Sequence, residues 1–243
     1  LLPEVTTLLP VKVTKGGSST RIMGGLAEFV IQDKGKLILV MSSIIIVLIS
    51  FIPQNELNDE FVKYFDESVE FRQDTDFATS NLTGIYLIEY SLPAGESGAI
   101  SEPEYLANLE KFSNWYRQQE GVLHVNVLTD TMKRLNKSMH ADSESWYKLP
   151  EQRDLAAQYL LLYEFSLPFG LDLNNQINVD KSATRMVVTL ESISSNRLLA
   201  MGELAQDWMK GNLPTSMQVQ GASSSMMFAH IGARNIRSML LGT

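Results

Sequence analysis

The feature that most constrains this chain is an uninterrupted apolar run from Leu37 to Ile52. The run has no charged residue, and three serines are its only polar members. As a helix it would measure about 24 Å, slightly less than the roughly 30 Å hydrocarbon core of a bilayer. Serine hydroxyls can donate to carbonyls of the preceding turn, so they are compatible with a membrane-spanning helix. A helix buried in the core of a large soluble protein is the alternative that length alone leaves open.

Charges on the two sides of this run favour the membrane-spanning interpretation. Residues 1–36 carry 5 Lys and Arg against 3 Asp and Glu, whereas residues 53–243 carry 15 against 25. Because segments rich in Lys and Arg stay in the cytoplasm, the sequence predicts three parts. They are a cytoplasmic connector over 1–36, a transmembrane helix over 37–52 and a periplasmic domain over 53–243. A cleaved signal peptide fits poorly, since bulky residues stand at 51–53 where small residues would precede a cleavage site.

The composition excludes several kinds of site. The chain has no cysteine, so it can form no disulfide, thiol nucleophile or cysteine-ligated metal site. An extracytoplasmic domain without cysteine is more typical of a bacterial periplasm than of an animal cell surface. The net charge of −8 argues against nucleic acid as a partner, because such binding depends on neutralising phosphates. The chain begins with Leu1-Leu2-Pro3 rather than with methionine, which suggests an excerpt or a processed product.

The connector is predicted to contain an amphipathic helix from Arg21 to about Gln32. Its apolar residues Ile22, Leu26 and Val30 recur every four positions beside a basic flank. Next to a membrane span, this pattern favours a helix on the inner membrane surface over a helix packed on protein.

The periplasmic part alternates segments of strand and helix character. Two β-α-β units are predicted, separated by a helical insert over about 129–182. Their strands are expected at Thr83–Tyr90, Val122–Leu128, Ala183–Glu191 and Met217–Gln220, and their helices at Ser101–Gln119 and Ser194–Lys210. Two such units predict an α/β (α+β) domain of the ferredoxin-like type, with four strands and two helices on one face.

Two helices are predicted within the insert and one at the end of the chain. The first covers Asp130–His140, and the second, Pro150–Phe165, is apolar nearly all round. Such a helix must be covered by core, by a neighbouring domain or by lipid, and the sequence leaves these three open. The last helix is predicted from about Ser223 to Leu241. Its methionines could form an adaptable surface for a lipid-like ligand, but core packing is favoured for Met226, Met227 and Met239.

No residue pattern indicates catalysis, so the sequence predicts that the chain is not an enzyme. It predicts no catalytic, cofactor-binding or metal-binding residue. His124, His140 and His230 lack the spacing of metal ligands. Glu102 and Glu104 are typical of the start of a helix rather than of an acid–base pair.

An ordered series of short segments extends over nearly the whole chain. The segments are Leu8-Leu9-Pro10, Leu57-Asn58-Asp59, Tyr64-Phe65, Phe71 to Phe77, Asn81 to Gly84, Lys133 to His140, Leu149-Pro150-Glu151, Ala156 to Glu164, Ser182 to Arg185, and Leu240 to Thr243. No single segment is a catalytic signature, but in its order the series resembles the MMPL-like predicted exporter group of RND-superfamily permeases.

The resemblance implies that the chain is a central fragment of such a permease. The fragment would hold the end of one transmembrane helix, a second helix and the periplasmic porter loop that follows. The resemblance implies proton-driven export of lipid-like or hydrophobic compounds from a bacterial inner membrane, with the coupling carboxylates in helices outside this sequence. The implied partners are membrane lipid, the hydrophobic substrate and the remainder of the same permease. A homo-oligomer and a periplasmic accessory protein are left open.

Two other functions are compatible with parts of the sequence. A single-pass, membrane-anchored periplasmic ligand-binding or sensor module would combine the same apolar helix with the same domain. A soluble enzyme would bury the Leu37–Ile52 helix, but it finds no support in a catalytic pattern.

Overall fold

The structure is a computed structural model in which Gly24 and residues 27–51, 61–168 and 170–242 are described. The chain forms two compact units, Leu1–Glu56 and Leu57–Thr243. Most of the predicted connector lies outside the described residues, as does the first part of the predicted Arg21–Gln32 helix. Residues 27–32 of that prediction are helical.

The first unit contains the predicted apolar helix, which runs from Lys34 to Phe51 (α1). Its 18 residues have a mean hydropathy of 2.0, and none is buried by the described part of the chain. Ser43 Oγ donates to the Leu39 carbonyl at 2.8 Å, and Ser50 Oγ donates to the Val47 carbonyl at 2.6 Å. These hydroxyls are therefore satisfied by the helix itself. By length and composition, α1 is able to cross a membrane.

The second unit is mixed α+β, which the sequence predicts. Its strands are β1 (Tyr86–Pro93), β2 (Val122–Asn126) and β3 (Ala183–Leu190). Its helices are α2 (Glu70–Asn81), α3 (Pro103–Arg117), α4 (Leu128–Met139), α5 (Arg153–Ser166), α6 (Ser195–Asn212) and α7 (Ser224–Leu241). Short 3-10 turns cover Phe61–Tyr64, Ala99–Ser101, Glu144–Trp146 and Thr215–Met217.

Strand β3 is the centre of a three-stranded sheet with the order β1-β3-β2. It is antiparallel to both neighbours, and Val188 lies opposite Ile88 of β1 and Val125 of β2. Because successive side chains of a strand alternate between faces, every second residue of β1 and β3 lies on one buried face. This face comprises Ile88, Tyr90, Leu92, Met186, Val188 and Leu190.

Helices α3 and α6 contribute to the same core as this buried face. The ring of Phe112 in α3 lies 5.2 Å from the ring of Tyr90 and 5.6 Å from the ring of Trp208 in α6, measured between centroids. The buried apolar residues of the two helices recur at helical spacing, which explains why each presents one face to the core. They are Tyr105, Leu106, Leu109, Phe112, Tyr116, Leu198, Met201, Ala205 and Met209.

The predicted fourth strand, Met217–Gln220, is not formed. The chain makes a 3-10 turn at Thr215–Met217 instead, and the side chain of Met217 is buried in the core. Pairing with the outer edge of β1 is limited to Ala222, which exchanges backbone hydrogen bonds of 2.8 and 3.0 Å with Glu89. Met217 N donates to the Pro214 carbonyl at 2.9 Å and Gln218 N to the Thr215 carbonyl at 3.2 Å, so local hydrogen bonds occupy backbone donors that a strand would pair with β1.

The insert forms two helices, as the sequence predicts, but α4 begins already at Leu128, so β2 is shorter than predicted. Lys133 Nζ of α4 lies 2.8 Å from Glu110 of α3 and 3.2 Å from Asp130. Asp130 also forms an ion pair of 2.5 Å with Arg117 of α3. Burial alone would lower the pKa of Lys133, but hydrogen bonds and charges of the two carboxylates outweigh it and raise that pKa. This charged cluster attaches the insert to α3.

Asn136 connects the two helices of the insert. Its side-chain nitrogen donates to the Lys148 carbonyl at 2.9 Å, and its side-chain oxygen accepts from the Tyr159 hydroxyl of α5 at 3.1 Å. The ring of His140 stacks on Trp146 at 3.7 Å, and its Nδ1 lies 2.7 Å from the Asn136 carbonyl. The segment around Asn136 therefore links α4, α5 and the chain between them.

Three buried tyrosines lie between the sheet and α3. The hydroxyls of Tyr90 and Tyr116 are 2.5 Å apart, and the Tyr105 hydroxyl donates to the Leu92 carbonyl at 2.9 Å and lies 2.6 Å from Thr184 Oγ1. Burial raises the pKa of Tyr90 and of Tyr105 to about 12, and the pKa of Tyr116 well above its ordinary value. The folded chain therefore holds these phenols in their neutral form.

Alkaline pH should destabilise the fold through these phenols. The pKa values of these phenols in the folded chain exceed the unfolded value of about 10. Their contribution to the free energy of unfolding is therefore complete below about pH 10, and it is lost as the pH rises towards about 12. We expect the urea midpoint of the chain to fall across this window, and to fall less for Tyr105→Phe. Tyr147→Phe, which removes an exposed phenol, is the control. An equal decline for Tyr105→Phe and the unaltered chain would contradict this expectation.

Candidate functional site

The sheet face opposite the core is polar at the end where β1 finishes and β3 begins. Strand alternation places Glu89 and Ser91 of β1 and Arg185 of β3 on this face, with Ser91 directly opposite Arg185. They border a cavity of about 380 Å³, which we call the sheet cavity. The loop between α5 and β3 completes its lining with four amide side chains, those of Asn174, Asn175, Gln176 and Asn178.

This loop is held against β3 by its backbone and by two core side chains. Arg185 N donates to the Gln176 carbonyl at 2.8 Å, and Leu173 and Ile177 are only 7% and 5% exposed. Strand β2 pairs with β3 only between Leu190 and Val187. Towards the start of β3 the loop lies along that edge instead, where Ile177 pairs with Thr184. The polar groups that line the sheet cavity therefore have defined positions.

One ion pair supplies the charges of the sheet cavity. Arg185 Nη2 and Nε lie 2.8 and 3.0 Å from Glu89 Oε2, and Arg185 Nη1 donates to the Asn175 carbonyl at 3.3 Å. The side chains of Arg185 and Glu89 are 44% and 30% exposed. Because the described residues that line the cavity include no other charged side chain, its formal charge is balanced.

A second cavity of about 260 Å³, the loop cavity, adjoins the first. Both are lined by Asn174, Ile177 and Asn178, so the two cavities share a wall. Glu164 Oε2 of α5 and Lys181 Nζ form an ion pair of 2.7 Å in the lining of the loop cavity. Its apolar wall consists of Leu167, Leu173, Ile177 and Val179. Asp172 adds a third charged side chain to this lining, so both cavities have polar and apolar walls.

Helix α5, which contributes Glu164 to the loop cavity, has two faces of different character. One face is buried in the core and consists of Ala156, Tyr159 and Leu160. The other face consists of Leu161, Leu162 and Phe165, which are 48%, 46% and 80% exposed. The helix that the sequence predicts as apolar all round is therefore covered by core on one side, while the described part of the chain leaves its other side open.

The residues singled out in the sequence do not meet at this site. The described residues include no group of three or more potential metal ligands. Glu102 precedes α3 and pairs with Arg153 at 3.1 Å. The three histidines lie on separate elements, within β2, after α4 and within α7: His124, His140 and His230.

The methionines of α7 also differ from the expectation. Met226 is buried, in agreement with core packing, whereas Met227 and Met239 are 52% and 82% exposed. Core packing is therefore the wrong interpretation for the latter two within the described part of the chain. They lie on the outer side of α7, where helical spacing separates them from Met226.

The sequence does not single out the residues of the sheet cavity. Glu89 and Arg185 lie far apart in sequence, and their strand pairing is a tertiary contact that alternation does not reveal. The amides lie in a stretch whose composition indicates only a loop.

No protein-family model matches this chain, and a search of curated proteins finds no match.

Proposed function

We propose that the chain is part of a proton-driven RND-type exporter of lipid-like or hydrophobic compounds in a bacterial inner membrane. In this proposal α1 is a scaffold helix of the membrane domain, and the second unit supplies half of the periplasmic substrate pathway. The observation that carries it is an exposed apolar helix of 18 residues in the same chain as an α+β unit with two adjoining cavities, each lined by polar and apolar residues.

The charges around α1 support its proposed orientation. Lys34 and Lys36 lie at its N-terminal end, where they would reach the cytoplasmic surface, and Lys36 Nζ pairs with Asp33 at 2.9 Å. From Leu37 to Phe51 the helix has no ionisable residue. The groups that couple export to protons would therefore lie elsewhere in the exporter.

The strand order supports a ferredoxin-like porter domain. Ala222 pairs antiparallel with the outer edge of β1, which extends the order to residue 222, β1, β3 and β2. We infer the split β-α-β arrangement with its fourth strand reduced to this single pair. In such an exporter, hinge motion of the porter domain would open and close the path to the two cavities.

A membrane-anchored periplasmic ligand-binding or sensor module is the second candidate. The same cavities favour it, because a sensor also needs a ligand site in the same chain as its membrane anchor. Transport separates the two functions, because a sensor binds its ligand without moving it.

Reconstitution of the full-length protein in proteoliposomes tests the proposal. We expect a fluorescent lipid or hydrophobic dye to move across the bilayer when a pH gradient is imposed, and to stop when a protonophore collapses the gradient. Liposomes without protein are the control for leakage. Binding without any gradient-dependent movement would overturn the exporter and favour the sensor module.

A further inference from the structure

We propose that helix α7 lies on an anionic phospholipid surface through its outer side. This side, which we call the α7 face, comprises Met227, Phe228, Ile231, Arg234 and Arg237. The proposal goes beyond the proposed function, because it requires a membrane surface but no movement of a substrate. Three observations carry it: exposed apolar side chains, two arginines that pair with no described carboxylate, and a sequence around α7 that lacks acidic residues.

Helical spacing brings the apolar members of the α7 face together. Met227 and Ile231 are four residues apart and Phe228 adjoins them, and the three are 52%, 47% and 63% exposed. The other side of α7 packs on the second unit, where Met226 and Ala229 are 7% and 2% exposed. Helix α7 therefore buries one side and keeps a second apolar side that the described part of the chain does not cover.

Two exposed arginines border this apolar surface. Arg234 follows Ile231 by three residues, and Arg237 follows Arg234 by three more. Neither arginine forms an ion pair with a described residue, whereas every other described arginine except Arg134 does. The last turn of α7 contains no basic residue, so attraction to the negative end of the helix dipole does not explain their positions.

Acidic residues are absent from this part of the sequence. The chain has 28 Asp and Glu, but residues 208–243 contain none and contain three Lys and Arg. Glu203 of α6 lines a cavity of about 200 Å³ with His230, and neither arginine of the α7 face lines that cavity. The α7 face is therefore locally basic in a chain whose net charge is −8.

An anionic phospholipid surface fits both parts of the α7 face. Apolar side chains can enter the boundary between head groups and acyl chains, while the long arginine side chains extend to the phosphates and bind them. The chain also carries α1, which by length and composition is able to cross a membrane. A second copy docked through the same face would place its arginines against those of the first, which disfavours that occupant.

A single fluorescent label tests whether the α7 face contacts lipid. Because the chain has no cysteine, Ile231→Cys provides one site for the environment-sensitive fluorophore nitrobenzoxadiazole. The full chain is held in nanodiscs of phosphatidylcholine alone or of phosphatidylcholine mixed with phosphatidylglycerol, so that lipid charge is the variable. We expect the emission to shift to shorter wavelength only in the anionic discs, and the shift to reverse at about 1 M salt.

Matched variants test the two parts of the α7 face. Arg234→Gln and Arg237→Gln should each lower the ratio of lipid-bound to free label about fivefold, and the double variant should abolish the shift. Arg197→Gln, which removes an exposed arginine paired with Glu120, should leave the ratio unchanged. A label at Phe165→Cys of α5 should not respond to lipid charge, because Phe165 is 80% exposed but adjoins an acidic residue.

The outcomes separate this inference from the proposed function. Equal emission at position 231 in both kinds of disc, or an equal response from the labels at 231 and 165, would overturn the proposal. A shift that requires two copies in one disc and ignores lipid charge would assign the α7 face to a second copy and would also overturn it. A shift confined to anionic discs and lost in the double arginine variant supports the proposal, whether or not the protein transports a substrate.

Discussion

Gly84→Ala is expected to destabilise the second unit by about 3 kcal/mol, at the upper end of the usual cost of overpacking. Gly84 is buried just before β1, and a methyl group there would lie 1.7 Å from the Leu190 carbonyl oxygen and 2.7 Å from its carbon. The contacted atoms are backbone, so no side-chain rotation can relieve the clash. Because Leu190 pairs with both Tyr86 and Val122, a shift there disturbs both edges of the sheet.

The same substitution in α6 provides the control for Gly84→Ala. A methyl group at Gly211 meets nothing within 4 Å, and alanine favours helix over glycine by about 1 kcal/mol. We therefore expect Gly211→Ala to be neutral or stabilising. Urea unfolding of the chain in detergent, followed by circular dichroism, measures both variants. Equal midpoints for the two would show that the end of β3 is not packed as closely as described.

Leu160→Asp should prevent the second unit from folding, whereas Leu161→Asp should leave it folded. Leu160 is 1% exposed and Leu161 is 48% exposed, although they are consecutive residues of α5. An aspartate at position 160 would lose the packing of the leucine, about 2–5 kcal/mol, and would also bury an unpaired charge. At an exposed position the change is expected to stay within about 0.5 kcal/mol.

Near-ultraviolet circular dichroism and limited proteolysis distinguish these two variants. We expect Leu160→Asp to lose its aromatic signal and its protease resistance, and Leu161→Asp to retain both. A folded Leu160→Asp variant would contradict the placement of this side of α5 in the core. Loss of the fold in both variants would show that the open side of α5 is also covered.

Local patterns predict most helices of this chain, because their signals lie within one segment. They do not predict α2 (Glu70–Asn81), a mostly polar helix with no buried residue. The apolar run predicts α1 to within three residues of its start, and the insert helices α4 and α5 lie close to their predicted positions. Met217–Gln220 alternates like a strand, but Met217 is buried and its backbone nitrogen bonds within a local turn. Tertiary packing overrides a short local pattern in this case.

The candidate site depends on contacts that no local pattern contains. Glu89 and Arg185 meet only because β1 and β3 pair in one particular register, in which Ser91 lies opposite Arg185. The amides reach them because β2 ends opposite Val187 and leaves one edge of β3 to the loop. Strand length and register arise from the whole fold, so the sequence alone indicates a loop and not a cavity.

The central position of β3 also sets the order in which the chain can fold. Strands β1 and β2 do not pair with each other. Both pair with β3, which is synthesised only after the whole insert. Pairing of Tyr86 with Leu190 closes a long loop, which slows folding. Until then both outer strands present open edges, which favour aggregation of partly synthesised chains. In a chain that stops before Ala183, the second unit should therefore aggregate unless a chaperone binds it.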